Sequence, residues 1–514
     1  MKSDNSTLAW RQYEAGREYK RRCGLYERIR ENERFWRGDQ WYGETNDLPR
    51  PVFNMVRRIV EYQICSVISP AMAVLFSNEK IPVRGGDSKL FRTGISALND
   101  HMAYRWEHCR MDRLLRRALG DAAISGDGVF YVYWDADAET GQSWRGDMVT
   151  ACVDNVNLFV ADVNRADIQS QAYVMLSGRA RVEELRREAM AAGMSREKAL
   201  RDIRPDEETA AQAGDMASVE LAGEDAAKAT YLIKFWREEG KVVFEKSVRG
   251  GVIRRGNTGC RLYPVAYFNW SPVKNSFHGS APITSLIPNQ RFLNRAYAMV
   301  MKHMTDTAFS KVIYDKSKIP EWTNGVGEAI AAVGGNVADA VSVIGVGQMQ
   351  EGYLQLLDNT LSVTKELAGA TDVALGAVDP NNTSAILALQ EASSVSLEQL
   401  RSALYGCVED LANIWVDMMC AYYPDGRLLP TRGEQGTELR EVDFAALRRA
   451  LPMARVEVGD ASRYSAASTV SLLGKLLDGG HITFVEYLER LPANLLIDRQ
   501  SLIDARKEMD AHDA

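Results

Sequence analysis

The 514-residue chain has no long apolar run, no clustered cysteines and no surplus of positive charge. Each lack removes a class of function. The most apolar run, Cys65 to Phe76, contains Pro70 and falls short of the about 20 residues a helix needs to span a bilayer. The first residues are polar, so no signal peptide is expected. Seven cysteines stand at Cys23, Cys65, Cys109, Cys152, Cys260, Cys407 and Cys420. The number is odd and no CxxC pair occurs, so reduced, mostly buried thiols of a cytosolic protein are expected. The net charge is −7. A protein that clamps nucleic acid is basic on at least one face, so tight binding of nucleic acid is not expected.

Local catalytic motifs are missing as well. There is no GxxxxGK[ST]; Gly474-Lys475 is followed by Leu476, which has no hydroxyl for magnesium. The glycines of GVGQ (345–348) lack the GxGxxG spacing and an acidic partner downstream. No HExxH and no GxSxG occurs, and the six histidines lie far apart. His278 and His303 are read as surface or interface residues. No catalytic, cofactor-binding or metal-ligating residue is assigned, and the chain is read as a non-enzyme without cofactor.

What is present is 46% hydrophobic content, ample for a core and consistent with about three domains. One stretch stands out, RFWRGDQW at 34–41. Phe35, Trp36 and Trp41 surround a polar turn behind a charged helical segment, residues 8–30. There Trp10, Tyr13, Tyr19, Cys23, Tyr26 and Ile29 recur at spacings of three and four, and Gly38 is the expected breaker. Trp36 and Trp41 are expected to pack this helix onto the body, with Asp39 and Gln40 tying the turn.

Further along, Pro49 and Pro51 force an extended approach to a helix starting near Asn54. A helix is predicted over 91–119, and a strand in GDGVFYVYWDAD (126–137). A β-rich region then runs to about Trp270, with strands at 149–153, 157–160, 172–176, 230–236 and 241–248 and a helix at 182–192. The acidic, Ala-rich stretch 203–227 reads as a mobile insertion. Long helices follow. One is predicted over 290–309, with Pro288 at its start, and another over 353–370. Between them SKVIYD (310–315) and AVSVIGVG (340–347) read as short strands, with 319–333 partly helical. TDVALGAVDPNNTS (371–384) must be a loop. A very long helix extends from it to about Tyr423, bent near Ser393, Ser394 and Ser396. One strand (454–460) and short helices around 479–492 end the chain.

This order, with the GDQW turn, the SFHGSAP…LIPNQ entry to a helix and the interrupted helix pair ahead of TSAILALQEASS, resembles the portal proteins of tailed bacteriophages. The resemblance covers about residues 20–425. It implies an α+β, mainly helical portal fold assembled as a ring. Residues 1–280 correspond to a wing, 281–309 to a first stem helix, 310–348 to a clip and 349–371 to a second stem helix. Residues 372–383 correspond to a channel loop, 384–460 to a long bent helix returning to the wing, and 461–514 to a helical crown.

By the same resemblance the chain forms a homo-dodecamer at one capsid vertex of the virion, assembled in the host cytoplasm. Double-stranded DNA passes through it on packaging and ejection without sequence specificity. The terminase large subunit docks first, then head-completion or tail adaptor proteins; major capsid and scaffolding proteins are neighbours, and no membrane is involved. Channel-loop candidates are Asp372, Val373, Leu375, Asp379, Asn381 and Asn382. Candidate channel-facing charges are Arg291, Arg295, Lys302, Lys311 and Lys365. Candidate docking residues of the clip are Ile313, Tyr314, Lys318, Trp322, Val343 and Ile344.

The physics suits a sliding polymer. Each phosphate contact adds roughly −0.9 to the salt slope of log K, so one exposed cation repeated around a ring becomes a brake. A clip of about forty residues cannot bury enough surface alone and is expected to pair strands with neighbouring copies. The alternatives are another head–tail connector, a minor capsid protein, or a DNA-processing enzyme. Connectors are shorter and lack the β region, and the motor would need a P-loop.

Overall fold

A computed structural model describes residues 7–68, 72–77, 87–140, 144–206, 227–307, 311–322, 330–331, 333–334, 340–344, 352–370, 395, 397–424, 426–433, 436–442, 444–449, 453–458, 470, 473–491 and 502. The fold is mixed, with helices outweighing strands.

Two helices stand where one was expected at the start. α1 (Leu8–Arg22) and α2 (Leu25–Arg37) are separated by Gly24, which sits in the left-handed region at φ 66°. Such a residue ends a helix, whatever the apolar spacing across it. Gly38, at φ 92°, ends α2 in the same way, as the sequence suggested. α3 (Met55–Val67) starts behind Asn54, whose side chain accepts from Arg57 N. The single helix expected over 91–119 is also two. α4 (Asp87–His108) and α5 (Met111–Ser125) meet at Arg110, a non-glycine residue at φ 50°.

Eight strands then build two antiparallel sheets. β2 (Asp127–Asp135) is flanked by β3 (Asp147–Cys152) and β9 (Val265–Asn269). The second sheet orders β4 (Leu158–Val160), β5 (Tyr173–Arg181), β6 (Lys228–Glu238), β7 (Lys241–Val248) and β8 (Gly251–Asn257). β8 and β9 were not predicted. α6 (Val182–Ala191) and α7 (Arg196–Asp202) cover one end of this sheet. The described start of the acidic stretch is tightly held: Ile203 is buried and Asp206 accepts from Thr230 N at 2.7 Å. Residues 207–226 lie outside the described residues.

α8 (Pro282–Thr307) follows, then the antiparallel pair β10 (Lys311–Tyr314) and β11 (Val341–Ile344), then α9 (Gly352–Leu367). Pro288 lies inside α8 and does not start it; Pro282 takes the first position. α10 (Glu398–Tyr422) is buried all round from Cys407 to Cys420, apart from its half-buried or exposed polar positions, and forms the centre of the main core. The expected start of that helix near 384 lies outside the described residues.

β12 (Leu428–Gly433) and β13 (Gly436–Glu441) form a hairpin against α4 that the sequence did not reveal. α11 (Phe444–Arg449) leads to β14 (Met453–Val458), which pairs with β1 (Met72–Ser77) from the other end of the chain. α12 (Phe484–Arg490) carries a capping box between Thr483 and Glu486.

The edges of these small sheets are closed by side chains. Asn99 of α4 accepts from Phe76 N on β1 at 2.8 Å. On β14, Asn413 and Glu409 of α10 each accept from a backbone N–H, Ala454 N and Val456 N, at 3.0 Å. Such caps block pairing with another chain. Of the cysteines, Cys260, Cys407 and Cys420 are buried, Cys109 and Cys152 half-buried, and Cys23 and Cys65 exposed; all are free thiols.

Candidate functional site

α8 is the element on which the candidate residues converge. Its N-terminal half is buried on one side through Ile283, Leu286, Ile287, Leu293 and Ala296. Among these apolar residues lie two buried amides, Gln290 and Asn294, one turn apart. A buried amide is costly unless every polar atom finds a partner.

Here they do. Gln290 Oε1 accepts from Met55 N at 3.0 Å and Val56 N at 3.2 Å. Those are the first two amides of α3, which have no partner inside their own helix. Gln290 Nε2 donates to Phe53 O at 2.9 Å and to Asn294 Oδ1 at 2.8 Å. Asn294 Nδ2 in turn donates to Gln40 Oε1 at 2.7 Å, and Gln40 Nε2 to Phe35 O at 3.3 Å.

RFWRGDQW is thereby explained. It forms the end of α2 and the turn through which α2, α3 and α8 are joined. Trp41 is buried and donates Nε1 to Pro51 O at 2.8 Å. Trp36 is half-buried, with the Arg57 guanidinium 5.6 Å from its ring centroid. Asp39 is exposed, and its backbone N–H, bonded to Arg34 O at 2.9 Å, holds the turn. Asn32 adds a second tie, donating to Ile124 O at 2.7 Å and to Thr284 Oγ1 at 2.9 Å.

The candidate channel charges fall on the opposite stripe of α8, with Pro288, Arg291, Phe292, Arg295, Met299 and Lys302 exposed. Two of them are already engaged within the chain. Arg291 pairs with Glu31 and lies 5.3 Å from the Phe35 ring centroid. Arg295 pairs with Glu44 at 2.9 Å, a bond that also holds the Glu44 carboxyl below its usual range. Lys302 stands 3.6 Å from Asp306 one turn on. Lys365 is half-buried on α9. Lys311 opens β10 opposite Ile344. The N-terminal segment thus supplies the carboxylates for the arginines of α8. Glu31 and Glu44 had no sequence signal beyond being acidic.

Beyond Ala298 the environment of α8 changes. Met299, Met301 and Met304 are exposed, the last by 61%. α9 lies against α8, with Asn289 Nδ2 bonded to Thr364 Oγ1 at 3.0 Å, and Gln63 of α3 donates to Ala368 O at 2.8 Å just past its end. Yet along α9 only Leu357 and Thr364 are buried. Tyr353, Leu354, Leu356, Val363 and Leu367 are exposed, Leu367 by 80%. Sixteen residues with five bare apolar side chains are far from the usual surface helix.

The hairpin between these helices is equally bare. β10 and β11 pair Lys311 with Ile344, Val312 with Val343, Ile313 with Ser342 and Tyr314 with Val341. Ile313 is 59% exposed. Tyr314 stacks on Trp322 at 5.4 Å, and Ile319 is the buried anchor of the turn. Lys318 Nζ lies 4.0 Å from Asp315 Oδ2. Asp315 accepts from Ser317 N and Oγ, which keeps its carboxyl below the usual range. Among the described residues no side chain from another element caps either outer edge of this pair, in contrast to β1 and β14. The channel-loop residues Asp372, Val373, Leu375, Asp379, Asn381 and Asn382 lie outside the described residues.

No helix among the described residues is long and apolar enough to cross a membrane. Among those residues there is also no group of three or more His, Cys, Asp or Glu that could hold a metal. No curated protein matches the chain. Residues 250–462, from β8 to β14, match the family model of the phage P22-like portal protein, and that match supports a phage portal protein.

Proposed function

We propose that the chain closes, in twelve copies, into a ring at one capsid vertex, a conduit for duplex DNA during packaging and ejection. α8 and α9 form the stem, the β10–β11 hairpin the clip, residues 1–280 and 384–460 the wing, 372–383 the channel loop and 461–514 the crown. The clip residues Ile313, Tyr314, Lys318, Trp322, Val343 and Ile344 meet the terminase large subunit and later the adaptor proteins. Capsid and scaffolding proteins surround the wing. The role is structural, as in the portal family, with no chemistry of its own.

The observation that carries this reading is the bare apolar surface of α8 and α9 beside a hairpin whose two outer edges no other element caps among the described residues. A single copy leaves that surface in water. At about 25 cal/mol per Å² of apolar area, its burial between neighbours is the main force closing a ring. The hairpin edges complete a sheet only when the next copy supplies a strand. The charge pattern suits a sliding polymer, because Arg291 and Arg295 are neutralised by Glu31 and Glu44 before any phosphate arrives.

Negative-stain microscopy and sedimentation of the purified chain test the reading. Rings with a central hole are expected. L356E/V363E places two charges in the subunit contact and is expected to give folded monomers. Rings that survive this double substitution, or a wild-type chain that stays monomeric at high concentration, would remove the basis of the proposal.

A further inference from the structure

α5 carries a feature that the proposed function does not draw on. Between positions 110 and 117 the sequence reads RMDRLLRR, four arginines and one aspartate in a chain of net charge −7. Arg110, Arg113, Arg116 and Arg117 are all exposed. Arg113, Arg116 and Arg117 share one helical face by their spacing of three and four. Arg117 has the carboxylates of Asp121 and Asp154 in its field. Among the described residues Arg110, Arg113 and Arg116 pair with no carboxylate. Asp112, the nearest in sequence, is held by Trp106 Nε1 at 3.0 Å.

The fold gains nothing from this arrangement. Cations at the N-terminal half of a helix oppose its dipole. Like charges one turn apart repel. The opposite side of α5, through Met111, Leu115, Ala118, Leu119 and Ala122, already provides its core contact.

Two properties of the face identify its partner. First, α5 itself exposes no large hydrophobic residue between its arginines. A protein partner is normally held through a buried apolar or aromatic core. Second, the arginines extend over about 10 Å of helix axis. That length holds about three phosphates of one DNA strand, at about 3.4 Å each. All four cations are arginine, whose planar fork matches phosphate oxygens.

We propose that the arginine face of α5 is a second, sequence-independent contact for the phosphate backbone of duplex nucleic acid, separate from the α8–α9 surface. Three unpaired arginines per copy give a contribution of about −2.7 to the slope of log K against log salt. Between 50 and 200 mM salt the patch alone therefore changes affinity by about 40-fold per engaged copy.

The test uses covalently closed circular duplex DNA and the full chain in its assembled state. A closed circle cannot thread the bore of a preformed ring, so the result stands whether or not the ring reading holds. Binding is titrated across 50–200 mM salt for wild type, R110Q/R113Q/R116Q and the control R21Q/R22Q/R57Q. The control removes the same charge from exposed arginines that have carboxylate partners. Circular dichroism melts confirm that each variant is folded. The α5 variant is expected to lose about 2.7 from the slope and most of the affinity at 50 mM, while the control retains both. Wild type that does not bind the circle, equal losses in both variants, or displacement by polyglutamate as effectively as by DNA of equal charge would each overturn the proposal, the last by assigning the face to an acidic protein.

Discussion

Replacing Gln290 by alanine tests the polar joint at its centre. The side chain makes four hydrogen bonds, two to the first amides of α3, one to Phe53 O and one to Asn294. Alanine removes all four and leaves Val56 N without a partner in a buried place, while Met55 N keeps its bond to Phe53 O at 2.7 Å. Each stranded group costs about 1–3 kcal/mol. The sum is an upper bound, because Asn294 can turn toward Gln40 and water can enter the space left. A net loss of about 2–4 kcal/mol is expected, toward the high end for a single substitution. Denaturant unfolding gives the global value. Amide hydrogen exchange over residues 53–58 gives the local one, with Val56 losing most protection. Asn294→Ala removes fewer bonds and should cost about 1–3 kcal/mol, with the double variant costing less than the sum. A loss below about 1 kcal/mol for Gln290→Ala, with exchange at Val56 unchanged, would refute the joint as described.

Other outcomes follow from single sites. Burial holds the His101 imidazole down to about 4, against 6.5 when unfolded, with Nδ1 bonded to Pro430 O and Nε2 enclosed without a partner. The unfolded chain then binds the extra proton between those values, so stability falls as pH drops from 6.5 to 4, by roughly 3 kcal/mol in all; His101→Gln should flatten that part of an acid-denaturation curve. Gly38→Ala must place a side chain at φ 92°, and about 1–2 kcal/mol should be lost in urea titration. E31Q/E44Q breaks two exposed ion pairs, so thermal melts should move little, by the equivalent of about 0–1 kcal/mol for each. The same variant frees Arg291 and Arg295, and a linear duplex should then bind more tightly, with a steeper salt dependence.

Local signals carried the sequence reading as far as they reach. Asn54 and Gly38 were legible because a cap and a left-handed glycine act within one turn. β10 and β11 were legible as two short apolar runs, but their pairing with each other inside one chain was not, since partners were expected from neighbouring copies. Pro288 misled, because it stands inside α8 while Pro282 takes the first position that proline favours. The break at Arg110 had no marker, since arginine is not a residue of the left-handed region. The β1–β14 pair joins residues nearly four hundred positions apart, and no window along the chain contains both. Gln290 and Asn294 carry no local signal within LIPNQRFLN. Only their encounter with the start of α3 and with Gln40 gives them a role, and that encounter is tertiary.

The placement of that joint has a mechanical meaning. α8 behaves as a beam clamped near one end: the last polar tie to the N-terminal segment is at Arg295, and about 18 Å of helix continue to Thr307. A tilt of about 5° at the clamp swings the tip by about 1.6 Å over that length. Force delivered to the hairpin therefore arrives, through a rigid rod, at a handful of amide hydrogen bonds around Gln40, and those bonds set how far the tip can yield.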